Sequence, residues 1–107
     1  MEWREVVFIP GLQISGSGLI KWKAYHIFKG KERVLVRERY PKIHKDSGGD
    51  CYFIHNQDGR QKTVYVCDIV WNAFNPNNLV GKRNYVMHID GNKKNNSIKN
   101  LKQVRKK

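Results

Sequence analysis

The sequence predicts an α+β fold with a β-rich N-terminal portion, one amphipathic helix and a C-terminal hairpin. Three observations carry this. Residues 1–62 place short apolar and aromatic runs between glycines, prolines and Asx residues, the punctuation of strands and turns. Val66, Ile69, Val70, Ala73 and Phe74 then recur at i, i+3, i+4, i+7 and i+8, the period of a helix with one buried face. Finally, Val86 to Ile89 runs into Asp90-Gly91, a turn pair, and the chain becomes apolar again at Leu101.

Taken in order, Val6 to Ile9, Leu12 to Ile14, and Leu19 with Ile20 are short strands separated by Pro10, Gly11, Gly16 and Gly18. From Leu19 to Tyr40 the aromatic and β-branched residues alternate with cations, which predicts half-buried strands with a solvated basic face. Asp46-Ser47-Gly48-Gly49-Asp50 is a loop. Cys51 to His55 and Lys62 to Val66 flank Asn56-Gln57-Asp58-Gly59, a hairpin signal. The helix is expected near residues 66 to 75, with Pro76 just beyond its end. At 107 residues the chain has the length of one compact domain, read as a β-rich module over 1–62 and a helix-plus-hairpin unit over 63–107.

Charge narrows the functional classes. The chain has 21 Lys and Arg against 9 Asp and Glu, a net charge of +12, and residues 82–107 hold nine cations against one anion. Uncompensated charge of this sign favours a polyanionic partner, and nucleic acid is the first class to consider. No apolar run approaches the ~20 residues of a membrane span, and the basic stretches lack an apolar helical face, so a membrane surface is not expected as a partner. Glu2, Arg4 and Glu5 interrupt the apolar start, unlike a signal peptide, and an intracellular, cytoplasmic protein is expected. Cys51 and Cys67 lack CxxC spacing and read as reduced thiols. A zinc site from Cys51, His55, His44 and Cys67 lacks the paired close spacings such sites use. Trp3, Trp22 and Trp71 are read as packing residues, with base stacking as the alternative.

The stretch from Val86 to Leu101, Val-Met-His-Ile-Asp-Gly-Asn-Lys-Lys-Asn-Asn-Ser-Ile-Lys-Asn-Leu, carries the chemistry. It puts an imidazole at a strand end, followed by an Asp-Gly turn and a loop of Asn and Lys. Neutral His88 can accept a proton from water near pH 7. Lys93 and Lys94 would hold a phosphate backbone, while Asn92, Asn95, Asn96 and Asn100 can tie the loop. Asp90 is read as the turn residue. Period-two geometry would also bring it to the face of His88 as a weak metal candidate if the strand continued that far.

This stretch resembles the HNH homing endonucleases, the ββα-metal nucleases of phages and introns. The match is His88-Ile89-Asp90-Gly91-Asn92-Lys93, then Asn95 and Asn96, with Asn100-Leu101 beginning twelve residues after the histidine. Tyr65 to Asn77 looks like the strand and helix that precede the motif in that family. Glu2 to Glu5, Pro10-Gly11-Leu12 and Gly16-Ser17-Gly18 look like its N-terminal module. The resemblance implies that the hairpin belongs to a ββα-metal motif, that His88 is a general base, and that Asn100 orients the hairpin. It also implies Mg²⁺ or Mn²⁺ if cleavage occurs. Met87, however, replaces the oxygen or nitrogen ligand the family usually places before the histidine, and the second ligand belongs on a helix that would lie beyond Lys107. A thioether does not suit Mg²⁺. The motif therefore reads as incomplete, and the expectation is a DNA-binding protein derived from such a nuclease with impaired or lost cleavage.

The expected DNA footprint is Lys93, Lys94, Lys99, Lys102 and Arg105 with the tail to Lys107, extended by Lys21, Lys23, Arg37 and Arg39. RNA is the other polymer with such phosphates. Two alternatives stand beside this reading. One is an active nicking endonuclease with His88 as base and Asp90 or a partner chain holding the metal. The other is a small phage-type protein docking on a host protein or nucleoprotein machine.

Overall fold

The computed structural model describes residues 2–6 and 8–106. Ten strands, one α-helix and one short 3₁₀ turn follow each other along the chain. They are β1 (Trp3–Val6), β2 (Ile9–Ser15), β3 (Ile20–Trp22), β4 (Tyr25–Lys29), β5 (Glu32–Val36), β6 (His44–Lys45), β7 (Cys51–Gln57), β8 (Arg60–Tyr65), α1 (Val66–Phe74), β9 (Asn84–His88), a 3₁₀ turn (Ile98–Asn100) and β10 (Leu101–Arg105). All pairings are antiparallel, in sheets ordered β1-β2-β3, β4-β5, β6-β7-β8 and β10-β9. Met1, Val7 and Lys107, the last residue of the basic tail, lie outside the described residues.

The core forms where the helix crosses the first and third sheets. Leu12 and Ile14, two apart on β2, point the same way and meet Phe53 of β7 and Ile69 and Val70 of α1, all five fully or almost fully buried. Each such side chain contributes about 1.5–3 kcal/mol by leaving water. Leu101 of β10 joins the same cluster, with Val86 of β9 and Ile98 packed against it, so the C-terminal hairpin is seated on the core.

The helix buries Val66, Ile69, Val70 and Ala73 on its expected face. It stops where the Trp71 carbonyl accepts both the backbone N–H of Asn75 and its side-chain amide, one residue before Pro76. Val66, read from the sequence both as the end of a strand and as the start of the helix, is the first helical residue. The hairpin before it is tighter than its sequence suggests. β7 and β8 run to Gln57 and Arg60, and only Asp58 and Gly59 turn, both at positive φ (52° and 77°), as a two-residue turn of this twist requires.

A larger difference concerns residues 25–36. The half-buried strands expected there form a two-stranded ribbon that no second layer covers. Ile27, Val34 and Val36 on one face are half-buried, while Phe28 and Leu35 on the other are 73% and 49% exposed. Alternation in the sequence reports two faces but not whether anything packs on them. The ribbon is tied back at its base, where Trp22 and Arg39 exchange two backbone hydrogen bonds of 2.7 and 3.0 Å. No helix among the described residues is long and apolar enough to cross a membrane.

Candidate nucleic-acid interface

β9 and β10 pair residue for residue from Asn84–Arg105 to His88–Leu101, and the twelve residues 89–100 close the hairpin. His88 is the last strand residue. The strand stops there, so Asp90 does not continue the face of His88 but enters the turn. The Gly91 N–H reaches the His88 carbonyl at 3.1 Å, with Gly91 at φ 73°, and the Ile89 N–H reaches the Asn100 carbonyl at 2.7 Å.

A run of side-chain amides sets the rest of the loop. The Asn100 amide donates to Asp90 Oδ1 (2.8 Å) and to the Asn95 carbonyl (2.9 Å), while its oxygen accepts the Asp90 N–H (3.1 Å). Asp90 Oδ1 also accepts the Asn92 N–H (2.8 Å), and Oδ2 accepts the Asn95 amide (3.1 Å). These donors hold the Asp90 carboxyl below the usual carboxylate range, the Asn92 N–H first, then the amides of Asn100 and Asn95. Short polar side chains bond to nearby backbone readily, which is why an Asn-rich loop can be fixed without an apolar core.

Asn96 does something else. Its Oδ1 lies 2.7 Å from His88 Nε2, and both side chains are buried. Because an amide oxygen only accepts, His88 Nε2–H is the donor in this contact. Asn96 is in turn pressed by the turn between β2 and β3: Gly18, at φ 91°, sits so close that a Cβ there would lie 2.8 Å from the Asn96 carbonyl carbon and oxygen. Alongside, the Ile98 N–H and the Ser97 hydroxyl both donate to the Gly16 carbonyl at 2.8 and 3.2 Å. The N-terminal sheet thus props the loop that holds the histidine. The sequence showed an Asn pair at 95–96 but not that one amide serves Asp90 and the other His88.

The cations fall into two groups. Lys21 pairs with Glu38 at 2.9 Å and lies 4.2 Å from the centre of the Trp3 ring. Lys23 pairs with Glu5 at 2.9 Å. Lys93, expected on phosphate, donates to the Gly48 carbonyl at 2.6 Å and faces Asp50 at 3.6 Å, which latches the hairpin loop to the turn between β6 and β7. By contrast Lys94, Lys99, Lys102, Arg105, Arg37 and Arg39 make no ion pair among the described residues.

The remaining sequence candidates are engaged internally. His55 stacks on Trp22 and His44 on Tyr52, each with ring centres 5.4 Å apart. Both cysteines are free thiols. Burial first, then the Asp68 charge, pushes the Cys67 thiol up to about 12. Trp71 donates its indole N–H to the Asn78 carbonyl at 2.9 Å.

Among solved structures, the chain is similar to one described as DNA binding and cleavage by the HNH homing endonuclease I-HmuI, with 26% identity, a TM-score of 0.69 and 98% of this chain covered. This chain has an HNH homing-endonuclease-like fold. It spans about half of the I-HmuI chain, 53% of its length. No protein-family model matches the sequence, and no curated protein does.

The residues of this HNH-like hairpin do not fit the divalent ion that the resemblance implies. Met87 offers a soft thioether where an oxygen or nitrogen ligand is needed. Asp90 has three of its roughly four acceptor sites filled by N–H donors. No three His, Cys, Asp or Glu side chains converge among the described residues.

Proposed function

We propose that this chain is a DNA-binding protein of HNH homing-endonuclease architecture whose cleavage chemistry is impaired or lost. The observation that carries the reading is the division of the cations. Lys94, Lys99, Lys102 and Arg105 stand without carboxylate partners among the described residues, on and beside the β9–β10 hairpin of a fold that is like that of a DNA-cleaving enzyme over 98% of this chain. Arg37 and Arg39 extend this footprint, whereas Lys21, Lys23 and Lys93 contribute less because carboxylates already face them. Such a surface binds phosphates, gives affinity that falls steeply with salt, and reads sequence weakly. Impaired cleavage follows from the poor donor set around Met87 and Asp90, since nothing there replaces the charge stabilisation a metal gives a scissile phosphate.

One observation favours a second reading, a nicking endonuclease. A buried imidazole held in place by an amide at the end of a strand is the kind of positioned group that a general base requires. A supercoiled-plasmid assay with Mg²⁺ and with Mn²⁺, beside His88→Ala and a gel shift at two salt concentrations, separates the two. The DNA-binding reading expects salt-sensitive shifts and no nicks in either protein. Metal-dependent nicks that vanish in His88→Ala would replace it with the second reading, and no shift at either salt would end both.

A further inference from the structure

The loops beside the histidine also bring together two cations that make no ion pair among the described residues. β6 pairs with β7 so that Lys45 lies opposite Cys51. The Cys51 thiol reaches the Lys93 carbonyl at 3.7 Å, which brings the Lys93–Lys94 stretch of the hairpin loop up to the Lys45–Cys51 pair. Lys93 itself is held by Gly48 and Asp50. Lys94 is the main cause holding Lys45 below the usual lysine range, and the one opposing influence is the Cys51 thiol rather than a carboxylate. Nearby acids do not relieve them. Asp46 accepts the N–H groups of Gly48 and Asp50 and the Tyr65 hydroxyl, and Asp50 faces Lys93.

Like charges held side by side destabilise each other until an anion settles between them. Next to the pair a cleft of about 290 Å³ opens, bounded by Lys94, Leu19, Tyr40, Ile43, Cys51 and Asn96. Leu19, Tyr40 and Ile43 expose half or so of their surface. Asn96 is the residue that holds His88, so the cleft leads from the cation pair to the support of the imidazole.

We propose that Lys45 and Lys94 share a single phosphate of a DNA backbone and that the apolar cleft takes the deoxyribose beside it. The proposal rests on the DNA-binding reading above and adds a subsite to it. Sharing has a measurable signature. Each phosphate neutralised contributes a slope of about 0.9 to the fall of log affinity with log salt, so two lysines on one phosphate account for about 0.9 together, and on two phosphates for about 1.8.

The test is fluorescence anisotropy with a short random-sequence DNA duplex over a range of KCl. It compares the unsubstituted chain with Lys45→Ala, Lys94→Ala, the double variant, Lys45→Arg and Tyr40→Ala, each checked for folding by circular dichroism. The expected result is a roughly fivefold loss for each alanine at low salt, and a slope reduced by about 0.9 in the double variant. Lys45→Arg keeps the slope, and Tyr40→Ala weakens binding with the slope unchanged. Lys45→Ala behaving as the unsubstituted chain, or a double variant losing about 1.8, overturns the shared phosphate while DNA binding stands. An unaffected Tyr40→Ala overturns the sugar contact alone. An unsubstituted chain with no salt-sensitive affinity overturns the DNA-binding reading and the subsite with it.

Discussion

The chain contains two antiparallel hairpins with strands of equal length, β4–β5 and β9–β10, five residues in each strand. They differ in everything else. The first turns in two residues at Gly30-Lys31, with one face half-buried and the other largely in water. The second closes through a twelve-residue loop, seats Leu101 in the core, and buries His88 and Asn96. A two-stranded ribbon is marginal by itself. What sets the second one apart is support from outside it: the core below, the Gly16–Gly18 turn behind, and the Lys93 latch at the side.

Matching substitutions in the two hairpins expose that difference most strongly. Leu101→Ala removes a side chain only 5% exposed and is expected to cost about 2–4 kcal/mol in urea unfolding, whereas Leu35→Ala should stay within about 0.5 kcal/mol. Equal costs would mean that the first ribbon is covered in solution. Next comes the loop itself. Asn100→Ala removes three hydrogen bonds and leaves the Asp90 N–H without its acceptor, at an expected cost of about 2–3 kcal/mol. Gly18→Ala acts from a segment distant in sequence that packs directly on the loop. A Cβ 2.8 Å from the Asn96 backbone must displace the loop, so the expected result is about 1–3 kcal/mol of destabilisation with shifted His88 ring resonances. Unchanged resonances would show that the loop stands without its prop.

The smallest effect is one of pH. Burial raises the carboxyl of Asp68 on α1 above its ordinary value. A raised folded-state value gives a contribution that is present below the unfolded carboxylate range and is lost as pH rises through the folded value. Asp68→Asn should therefore raise the melting temperature at neutral pH and leave it nearly unchanged in acid. Asp90 has the opposite sign. Its lowered value stabilises the loop above the unfolded range, and this is lost as pH falls through the folded value.

Much of this was legible in the sequence. The 3.6-residue period gave α1 to within a residue of its end, the Asn56-Gln57-Asp58-Gly59 stretch marked a hairpin, and the spacing from His88 to Asn100 located the C-terminal hairpin and its HNH resemblance. The parts not legible are contacts between distant segments. Nothing in local periodicity tells that Gly18 will touch Asn96, that Lys45 will stand beside Lys94, or that Lys93 will be claimed by Gly48 and Asp50. Nor does alternation reveal that β4 and β5 have no layer over them. Charge counting does not reveal such pairings for a related reason: Lys21 and Lys23 look as free as Lys99 and Lys102 until folding brings Glu38 and Glu5 to them.

That distinction is the central claim, and the salt dependence of duplex DNA binding tests it directly. A variant with Lys99, Lys102 and Arg105 changed to Ala should lose up to about 2.7 from the log–log salt slope, about 0.9 for each phosphate contact removed. A second variant with Lys21 and Lys23 changed to Ala should keep the slope of the unsubstituted chain. Equal loss of slope in the two variants, or a larger loss in the second, would contradict the assignment of the hairpin as the DNA-binding face.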